Sequence, residues 1–354
     1  MPEPVRPKEI AAALGRRVIG QMEAVKELSI ALAKKLRGLS TGNVLMVGSS
    51  GTGKTTLMRA VEAWLAERAD PAQSWPLIRV HANVLAEEAS RDRPGEAILV
   101  RLLNRARERF GDEPVEKLLA KAGAGLVFVD EVDKIRSHVG GAPNTTGIRA
   151  QEALLTLIEN EAVPMRLPDW AGGRLVTVDA SRLLFVAAGA FEGLYDAVYD
   201  RVTIGADRGS LQAMSVFGDG GEVHQELQFS LRDWLRYEDL FAYGLTPQFL
   251  ARFDSLVLLD ALDEDTLVEI FLNDPESGLA QAREYFSSLG VELAISPAAV
   301  RRVAREAARQ PRLGARALKE VFRRVMRDVE FDPRATAGGA LMLDLPEIEK
   351  ALGG

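Results

Sequence analysis

The stretch Asn43–Thr56, with the sequence NVLMVGSSGTGKTT, decides how the rest of the chain is organised. Its first part, Val44–Val47, is a short apolar run that predicts a buried β-strand. The glycine-rich loop that follows lets the backbone turn tightly and direct its N–H groups towards phosphate oxygens. The residues from Thr56 onwards predict a helix, whose N-terminal dipole favours an anion. A strand, a glycine-rich loop and a helix in this order predict a phosphate-binding loop.

The loop also carries two side chains that nucleotide chemistry requires. Gly48 is followed after four residues by Gly53-Lys54-Thr55, which is the spacing of the P-loop. Lys54 is expected to supply positive charge to the β- and γ-phosphates, and the Thr55 hydroxyl to bind Mg²⁺. The predicted cofactors are therefore ATP and Mg²⁺. The predicted phosphate-binding residues are Ser49, Ser50, Gly51, Thr52, Gly53, Lys54, Thr55 and Thr56.

A second motif, Gly125–Glu131 with the sequence GLVFVDE, ends in two carboxylates. Its apolar residues predict a buried parallel strand. Asp130 and Glu131 would then lie at the carboxyl edge of the sheet, where open α/β folds bind ligands. Asp130 is expected to hold Mg²⁺ through water, and Glu131 to polarise the attacking water. The alternative, an exposed acidic strand end without a function, is disfavoured downstream of a complete P-loop.

The composition is that of a soluble globular protein. The chain has 354 residues, of which 47% are hydrophobic and 27% charged, so it is long enough for two domains. The net charge of -7 argues against a surface that binds nucleic acid or membranes in bulk, although a local basic loop is compatible with it. With no cysteine, disulfides and cysteine-ligated zinc are excluded. Without a secretory signal or a membrane-spanning apolar run, we expect a cytoplasmic protein.

Hydrophobic periodicity predicts alternating strands and helices up to about residue 260 and mainly helices after it. We therefore predict an α/β fold with a central parallel sheet between helices in residues 1–260, and a small, mostly helical domain in residues 261–354. Residues 164–173 are expected to form a loop. Residues 195–237, rich in glycine and mixed charge, are expected to lie outside the core. The histidines show no metal-ligand spacing and are expected to be structural or surface residues: His81, His138 and His224.

Six segments, taken in their order along the chain, together resemble a known protein family. They are VIGQ at 18–21, GSSGTGKT at 48–55, LVFVDEVDKI at 126–135, LLFVAAGAFEGL at 183–194, GLTPQFLARF at 244–253 and RLGARALKEV at 312–321. Together they resemble the AAA+ ATPases of the Clp/HslU type, most closely the ClpX family, over about residues 7–343. The resemblance implies a P-loop AAA+ domain, a small helical lid domain and ATP hydrolysis by a ring-shaped protein unfoldase.

The resemblance also implies roles for particular residues. Val18 and Ile19 would line the adenine, although these residues alone are equally compatible with ordinary core positions. Arg252 resembles the arginine finger that reaches the γ-phosphate of a neighbouring subunit, and Arg316 resembles the second-sensor arginine. The implied catalytic residues are thus Glu131, Arg252 and Arg316. A finger supplied to a neighbour implies a homo-oligomeric ring, expected to be a hexamer; arginine suits this task because its charge is permanent and its donors are forked.

The chain departs from the ClpX family where that family handles substrates. It lacks the cysteines of the family's zinc-binding domain. In place of the aromatic Gly-Tyr-Val-Gly pore loop stands the charged stretch 89–95, ASRDRPG, and DWAGGR at 169–174 stands near the place of the Arg-Lys-His loop. The peptidase-docking Ile-Gly-Phe tripeptide has only partial matches at 204–206 and 216–218, so no Clp-type peptidase is expected. Ala188-Gly189 replaces the first-sensor asparagine of many AAA+ proteins, but small residues also occur there in the ClpX family.

These observations leave two functional hypotheses. The first is an ATP-driven remodeller of a protein partner that works without a peptidase. The second is a nucleotide-switched assembly factor or nucleic-acid-handling protein that does not thread polypeptide, in which Arg91 and Arg93 meet phosphates. The missing aromatic residue favours the second, whereas the resemblance over nearly the whole chain and the net acidity favour the first. The first is preferred.

Overall fold

The structure of the protein is a computed structural model. It describes residues 5–39, 41–68, 74–88, 95–111, 113–159, 162–204, 213–217, 223–227, 231–333 and 339–353. The chain forms two compact units. One comprises Ser40–Val47 and Trp75–Leu258, and the other comprises Met1–Leu39, Gly48–Ser74 and Leu259–Gly354. Within the described ranges, no helix is long and apolar enough to cross a membrane.

The described strands are β1 (Asn43–Val47), β2 (Leu77–His81), β3 (Leu126–Asp130), β4 (His138–Val139), β5 (Ala142–Pro143), β6 (Ala162–Arg166), β7 (Leu175–Asp179), β8 (Leu184–Gly189), β9 (Ala213–Phe217), β10 (Val223–Leu227), β11 (Phe253–Leu258), β12 (Glu292–Ile295) and β13 (Ala340–Leu343). The described helices are α1 (Pro7–Gly15), α2 (Met22–Leu36), α3 (Lys54–Ala66), α4 (Ala82–Glu88), α5 (Glu96–Phe110), α6 (Val115–Gly123), α7 (Thr145–Glu159), α8 (Leu194–Thr203), α9 (Leu231–Trp234), α10 (Tyr237–Tyr243), α11 (Pro247–Leu250), α12 (Glu264–Asn273), α13 (Gly278–Ser288), α14 (Pro297–Ala308), α15 (Ala315–Phe331) and α16 (Leu345–Leu352).

The main sheet is parallel, and its strands lie in the order β11–β1–β8–β3–β2. The central parts of its inner strands are apolar: every residue of β8 is buried, and Leu126–Val129 of β3 are at most 3% exposed. Strands buried on both faces occur where helices cover a parallel sheet. Here α5, α6, α7 and α8 contribute buried side chains to the same core. The predicted α/β class with a central parallel sheet is confirmed.

Two stretches of this unit differ from the prediction. The loop expected over residues 164–173 is wrong in its first part, because residues 162–166 form β6, which pairs antiparallel with β7. Residues 195–237 were expected outside the core, yet this stretch begins within α8, whose Val198 and Val202 are fully buried. Leu194, Val198 and Val202 recur every four residues, which is the spacing of an apolar helical stripe.

The C-terminal helices α12–α16 surround a separate hydrophobic core, within the unit that contains Leu259–Gly354. Phe271 and Phe322 are buried there, and their rings meet edge to face with centroids 4.9 Å apart. Asp263, Ser277 and Ser296 accept hydrogen bonds from first-turn amides and so cap α12, α13 and α14. The mostly helical C-terminal region is confirmed, and the domain boundary at residues 260–261 stays a prediction.

Candidate functional site

The loop Gly48–Gly53 follows β1 directly in the chain, and its glycines are required by their surroundings. A Cβ atom on Gly48 would lie 2.7 Å from Leu259 Cβ. Gly51 has a φ of +73°, and a Cβ atom there would lie 2.1 Å from the carbonyl oxygen of Leu313. Any side chain at these two positions would therefore force the loop away from its neighbours. Glycine is therefore required at these two close approaches of the loop backbone to its neighbours.

The start of α3 is suited to an anion. Its cap residue, Gly53, has a φ of +103°, and the structure shows no side-chain hydrogen bond capping this end among the described residues. The first amides of an uncapped helix point outwards and carry partial positive charge. Lys54 Nζ donates to the carbonyl oxygens of Gly48 at 2.5 Å and Ser49 at 2.6 Å, so its charge lies over the loop. Thr55 is half-buried in the first turn, and Thr56 is exposed.

Arg316, the predicted second sensor, lies against this loop. Its guanidinium donates a hydrogen bond to Ser50 Oγ, while the amide of Ala315 donates to the Gly51 carbonyl at 3.1 Å. The structure therefore brings Arg316 together with the predicted phosphate-binding residues, all within one compact unit. A permanent charge at this point suits a residue that detects whether the loop holds an anion.

The predicted adenine wall is fixed by a residue that the sequence analysis missed. Val18 is 6% exposed, Ile19 is half-buried, and both stand just before Gln21. The buried Gln21 side chain donates to the Asp260 carbonyl at 2.9 Å and accepts from the Asp260 amide at 3.0 Å. This pair of hydrogen bonds fixes the segment that carries Val18 and Ile19. Because Asp260 is 239 residues away in the chain, no local pattern reveals the pairing.

Asp130, the predicted metal ligand, and Glu131, the predicted catalytic residue, lie together at the carboxyl end of β3. Asp130 Oδ1 accepts a hydrogen bond from the Glu131 amide at 2.9 Å, and the Arg79 guanidinium pairs with its other oxygen. Glu131 has a φ of +59°, which is uncommon outside glycine. Such a backbone conformation occurs at functional sites, where it aims a side chain that an ordinary strand end would not. Glu131 thus extends beyond the edge of the sheet.

His81 stands beside Glu131, although the sequence analysis gave it no functional position. Its ring Nδ1 lies 3.6 Å from Glu131 Oε2, and both side chains are 49% exposed. His81 is the last residue of β2 and is in register with Asp130 on β3. The signal that would have found it is its place at the end of a predicted strand, since parallel strands bring their carboxyl ends to one edge.

The first-sensor position is filled by a different arrangement. β8 ends in the buried pair Ala188-Gly189, and a Cβ atom on Gly189 would lie 2.6 Å from Asp133 Oδ1. That carboxylate oxygen accepts a hydrogen bond from the Ala190 amide at 3.1 Å. Asp133, which is 1% exposed, therefore occupies the space that an asparagine at residue 189 would need.

Arg252 lies at the opposite edge of the main sheet from Glu131. It immediately precedes β11, whereas Glu131 immediately follows β3. Asp130 is level with Val257 across the sheet, through Ala188 and Met46. Five residues along the strand and three strand spacings across it separate Arg252 from Asp130 by roughly 20 Å. An arginine side chain does not span this distance, so Arg252 does not reach Glu131 of its own chain.

Two contacts fix Arg252 at that edge. Its guanidinium pairs with the Glu159 carboxylate at the end of α7, and its carbonyl accepts a hydrogen bond from Asn43 Nδ2 at 3.0 Å. The Arg252 side chain is 47% exposed and the Glu159 side chain 43%. The ion pair is therefore open to water and exchangeable for another anionic partner.

The oxygen donors of the two motifs fit Mg²⁺. Thr55 offers a hydroxyl and Asp130 a carboxylate, and Mg²⁺ is usually held by one or two such groups together with substrate phosphates and water. In the part of the chain that the structure describes, no group of three or more histidine, aspartate or glutamate residues forms a metal cage. A hydroxyl and a carboxylate, here one in each compact unit, are donor types suited to an ion that arrives with a nucleotide.

Comparison with known proteins finds sequence similarity over most of the chain. The model of the ATPase family associated with various cellular activities (AAA) matches residues 44–205. A similar protein is the ATP-dependent Clp protease ATP-binding subunit ClpX 3 of Methylococcus capsulatus, which is 31% identical over 92% of this chain and 76% of its own length. The corresponding ClpX subunit of Bacteroides fragilis is 28% identical over 92% of this chain and 77% of its own.

Proposed function

The chain belongs to the AAA family of ATPases as a ClpX-like member that hydrolyses ATP, and from this premise we propose that it remodels or disassembles a protein partner as a homo-oligomeric ring. The observation that carries the ring is the position of Arg252 at the sheet edge opposite Glu131. If Arg252 cannot reach the ATP site of its own chain, it acts at the site of an adjacent chain. In a closed ring of six chains, every ATP site then receives one Arg252 from its neighbour. We further propose that the protein is cytoplasmic.

In this proposal each motif has one task in hydrolysis. The amides at the start of α3 and the Lys54 ammonium bind the phosphates, and Val18 and Ile19 contact the adenine. Thr55 and Asp130 would hold Mg²⁺, which when bound neutralises charge on the phosphates. Glu131 accepts a proton from the attacking water. Arg252 of one chain stabilises charge on the γ-phosphate bound by the next, and Arg316 responds to the same phosphates from the lid.

The absence of a Clp-type peptidase partner is the second part of the proposal. Ile204 is 78% exposed, as a docking residue would be. Gly205 and Ala206 lie outside the described residues, but the sequence places a methyl group where the family's tripeptide has phenylalanine. Apolar and aromatic anchors supply much of the energy of such an interface. The partial match at 216–218 also lies partly outside the described residues.

We therefore expect a purified peptidase ring of the Clp type not to bind this protein. Size-exclusion chromatography of the two proteins with ATP and Mg²⁺ should give separate peaks, with an ATP-binding subunit known to dock as the positive control. A stable complex that is lost on Ile204→Ala, and retained on Leu175→Ala at another exposed apolar position, would contradict the proposal.

The alternative function, a nucleotide-switched assembly factor or a nucleic-acid-handling protein, is favoured by the missing pore-loop aromatic and by Arg91 and Arg93 in the stretch that replaces it. Residues 89–94 lie outside the described residues, so this argument uses sequence alone. Charged side chains hold water strongly and prefer polar partners, whereas an aromatic ring grips many polypeptides through non-directional dispersion. We propose that this stretch makes selective polar contacts with one protein partner, and that the protein does not processively unfold stable substrates.

ATPase rates measured with candidate proteins and with DNA test this function. We expect a protein partner, and not DNA, to stimulate hydrolysis. Changing Arg91 and Arg93 together to Ala should abolish the stimulation and leave the basal rate unchanged. Changing the exposed Arg323 and Arg327 to Ala removes the same charge elsewhere and should preserve it. Stimulation by DNA alone would support the alternative function. ATP-dependent unfolding of a stable tagged protein would contradict the proposal that the protein does not processively unfold stable substrates.

A further inference from the structure

Gln151 joins segments that lead to the two separated catalytic groups. It lies in α7 and is 1% exposed. Its amide nitrogen donates to the carbonyl oxygens of Ile135 at 2.7 Å and Gly244 at 3.0 Å. Its amide oxygen accepts from the Thr246 amide at 2.8 Å and the Thr246 hydroxyl at 2.9 Å. Both polar atoms of this buried side chain are therefore hydrogen-bonded, and its amide nitrogen bonds to both segments.

The first of these segments positions Glu131. Ile135 ends the short 3-10 turn Val132–Lys134, which starts at the Glu131 backbone; the Lys134 amide donates to the Glu131 carbonyl at 2.9 Å. The uncommon φ of Glu131 is retained only while the surrounding backbone fixes it. The hydrogen bond from Gln151 to Ile135 fixes the far end of that turn.

The second segment positions Arg252. Thr246 caps α11, because its side chain accepts a hydrogen bond from the Phe249 amide, and Arg252 follows one residue after the cap at the other end. A shift of Thr246 therefore moves the whole short helix and the arginine beyond it. The last residue of α7, Glu159, pairs with Arg252 directly, so the helix that carries Gln151 contacts this segment at two points.

The Gln151 side chain is itself shielded from water, at 1% exposed, and half-buried residues pack around it. The Arg136 guanidinium lies 5.0 Å from the centre of the Tyr243 ring, and the Ser137 amide donates to the same Gly244 carbonyl at 2.7 Å. Burial, with the neighbouring Asp133 charge as a smaller cause, raises the pKa of Tyr243 to about 12. Because the Gln151 amide is buried, removing its hydrogen bonds leaves the partner groups incompletely paired, which is costly.

We propose that Gln151 is a positioning residue that fixes Glu131 for the chain's own site and Arg252 for the neighbouring site at the same time. The inference rests on the proposed roles of those two residues. A change at Gln151 should therefore disturb both Glu131 in the chain's own site and Arg252 in the neighbouring site. The Gln151 amide is bonded to Ile135, Gly244 and Thr246, so we assign its effect to the geometry of Glu131 and Arg252.

The first test separates positioning from stability. Gln151→Met keeps the volume and removes every hydrogen bond of the amide, whereas Leu154→Ala, one turn along α7, removes buried apolar contact alone. At matched melting temperature we expect kcat of Gln151→Met to fall on the order of 10–100-fold, because small misplacements of reacting groups have effects of this size. The KM for ATP should stay nearly unchanged, because Lys54 and Thr55 are untouched. Leu154→Ala should retain the parent kcat.

Gln151→Leu provides a second variant if the first is poorly folded. It also removes every hydrogen bond of the amide without burying a charge, so its kcat should fall as that of Gln151→Met does. The proposal would be overturned if either Gln151 variant lost no more kcat, for a given fall in melting temperature, than Leu154→Ala does.

Mixed rings show which half is disturbed. The reference mixture contains Arg252→Ala and Glu131→Gln chains, which together supply one intact interface. Gln151→Met mixed with Glu131→Gln tests its own site, and mixed with Arg252→Ala tests its finger. We expect both mixtures to fall well below the reference. If either matches the reference, Gln151 serves only one half and the inference is wrong; if the reference itself is inactive, the proposed role of Arg252 fails and the inference falls with it.

Discussion

An Arg252→Ala chain is expected to hydrolyse ATP about 10³–10⁵-fold more slowly than the unaltered protein, the usual effect of an arginine finger on phosphoryl transfer. The reason is that removing the guanidinium leaves charge on the γ-phosphate of the neighbouring site without its partner. Nucleotide affinity should change little, because the phosphate-binding loop belongs to the other chain. Steady-state phosphate release gives the rate, and a fluorescent nucleotide gives the affinity.

The matched control is Glu159→Gln, which removes the Arg252 ion pair and leaves the arginine in place. Exposed ion pairs contribute about 0–1 kcal/mol, so this variant should retain a rate within a few-fold of the unaltered chain. If Arg252→Ala and Glu159→Gln have the same small effect, Arg252 is a surface residue that pairs with α7 and not a finger.

Glu131→Gln is expected to bind ATP with Mg²⁺ normally and to lose hydrolysis, by about 10²–10⁴-fold for a lost general base. An amide has nearly the same shape as the carboxylate but cannot accept the proton of the attacking water. Single-turnover measurements separate the chemical step from binding. Glu284→Gln, an exposed change in α13, is the control for loss of one negative charge.

Hydrolysis by Glu131→Gln at the unaltered rate would show that another group polarises the water. His81, 3.6 Å from the Glu131 carboxylate, would then be the first residue to change. Weaker ATP binding in place of slower chemistry would mean instead that Glu131 acts mainly on the ground state.

The phosphate-binding loop and β3 were predictable from sequence because their requirements are local. The glycines, Lys54 and Thr55 lie within eight consecutive positions, and Leu126–Val129 are apolar without interruption. Both patterns depend only on local backbone conformation and burial, so a short stretch of sequence is enough to predict them. The resemblance at Arg316 and Arg252 added two residues that no local pattern would have selected.

The remaining site residues depend on contacts between distant parts of the chain. Gln151 interacts with residues 16 positions before and 95 positions after it, and Gln21 with a residue 239 positions away. A buried glutamine in a helix has no distinctive sequence pattern, because its function depends on what lies opposite. The separation of Arg252 from Glu131 likewise depends on strand order and register, which the sequence alone did not define. The burial of α8, by contrast, was visible in its helical spacing and was missed because its polar residues dominated.

The central claim is that each ATP site is completed by a second chain. The measurement that tests it most directly is the ATPase rate of Arg252→Ala chains titrated with Glu131→Gln chains at constant total concentration. The account predicts nearly no activity for either variant alone and a maximum near equal proportions, where interfaces with an intact Glu131 facing an intact Arg252 are most frequent. A rate that stays at the sum of the separate variants at every proportion would contradict it.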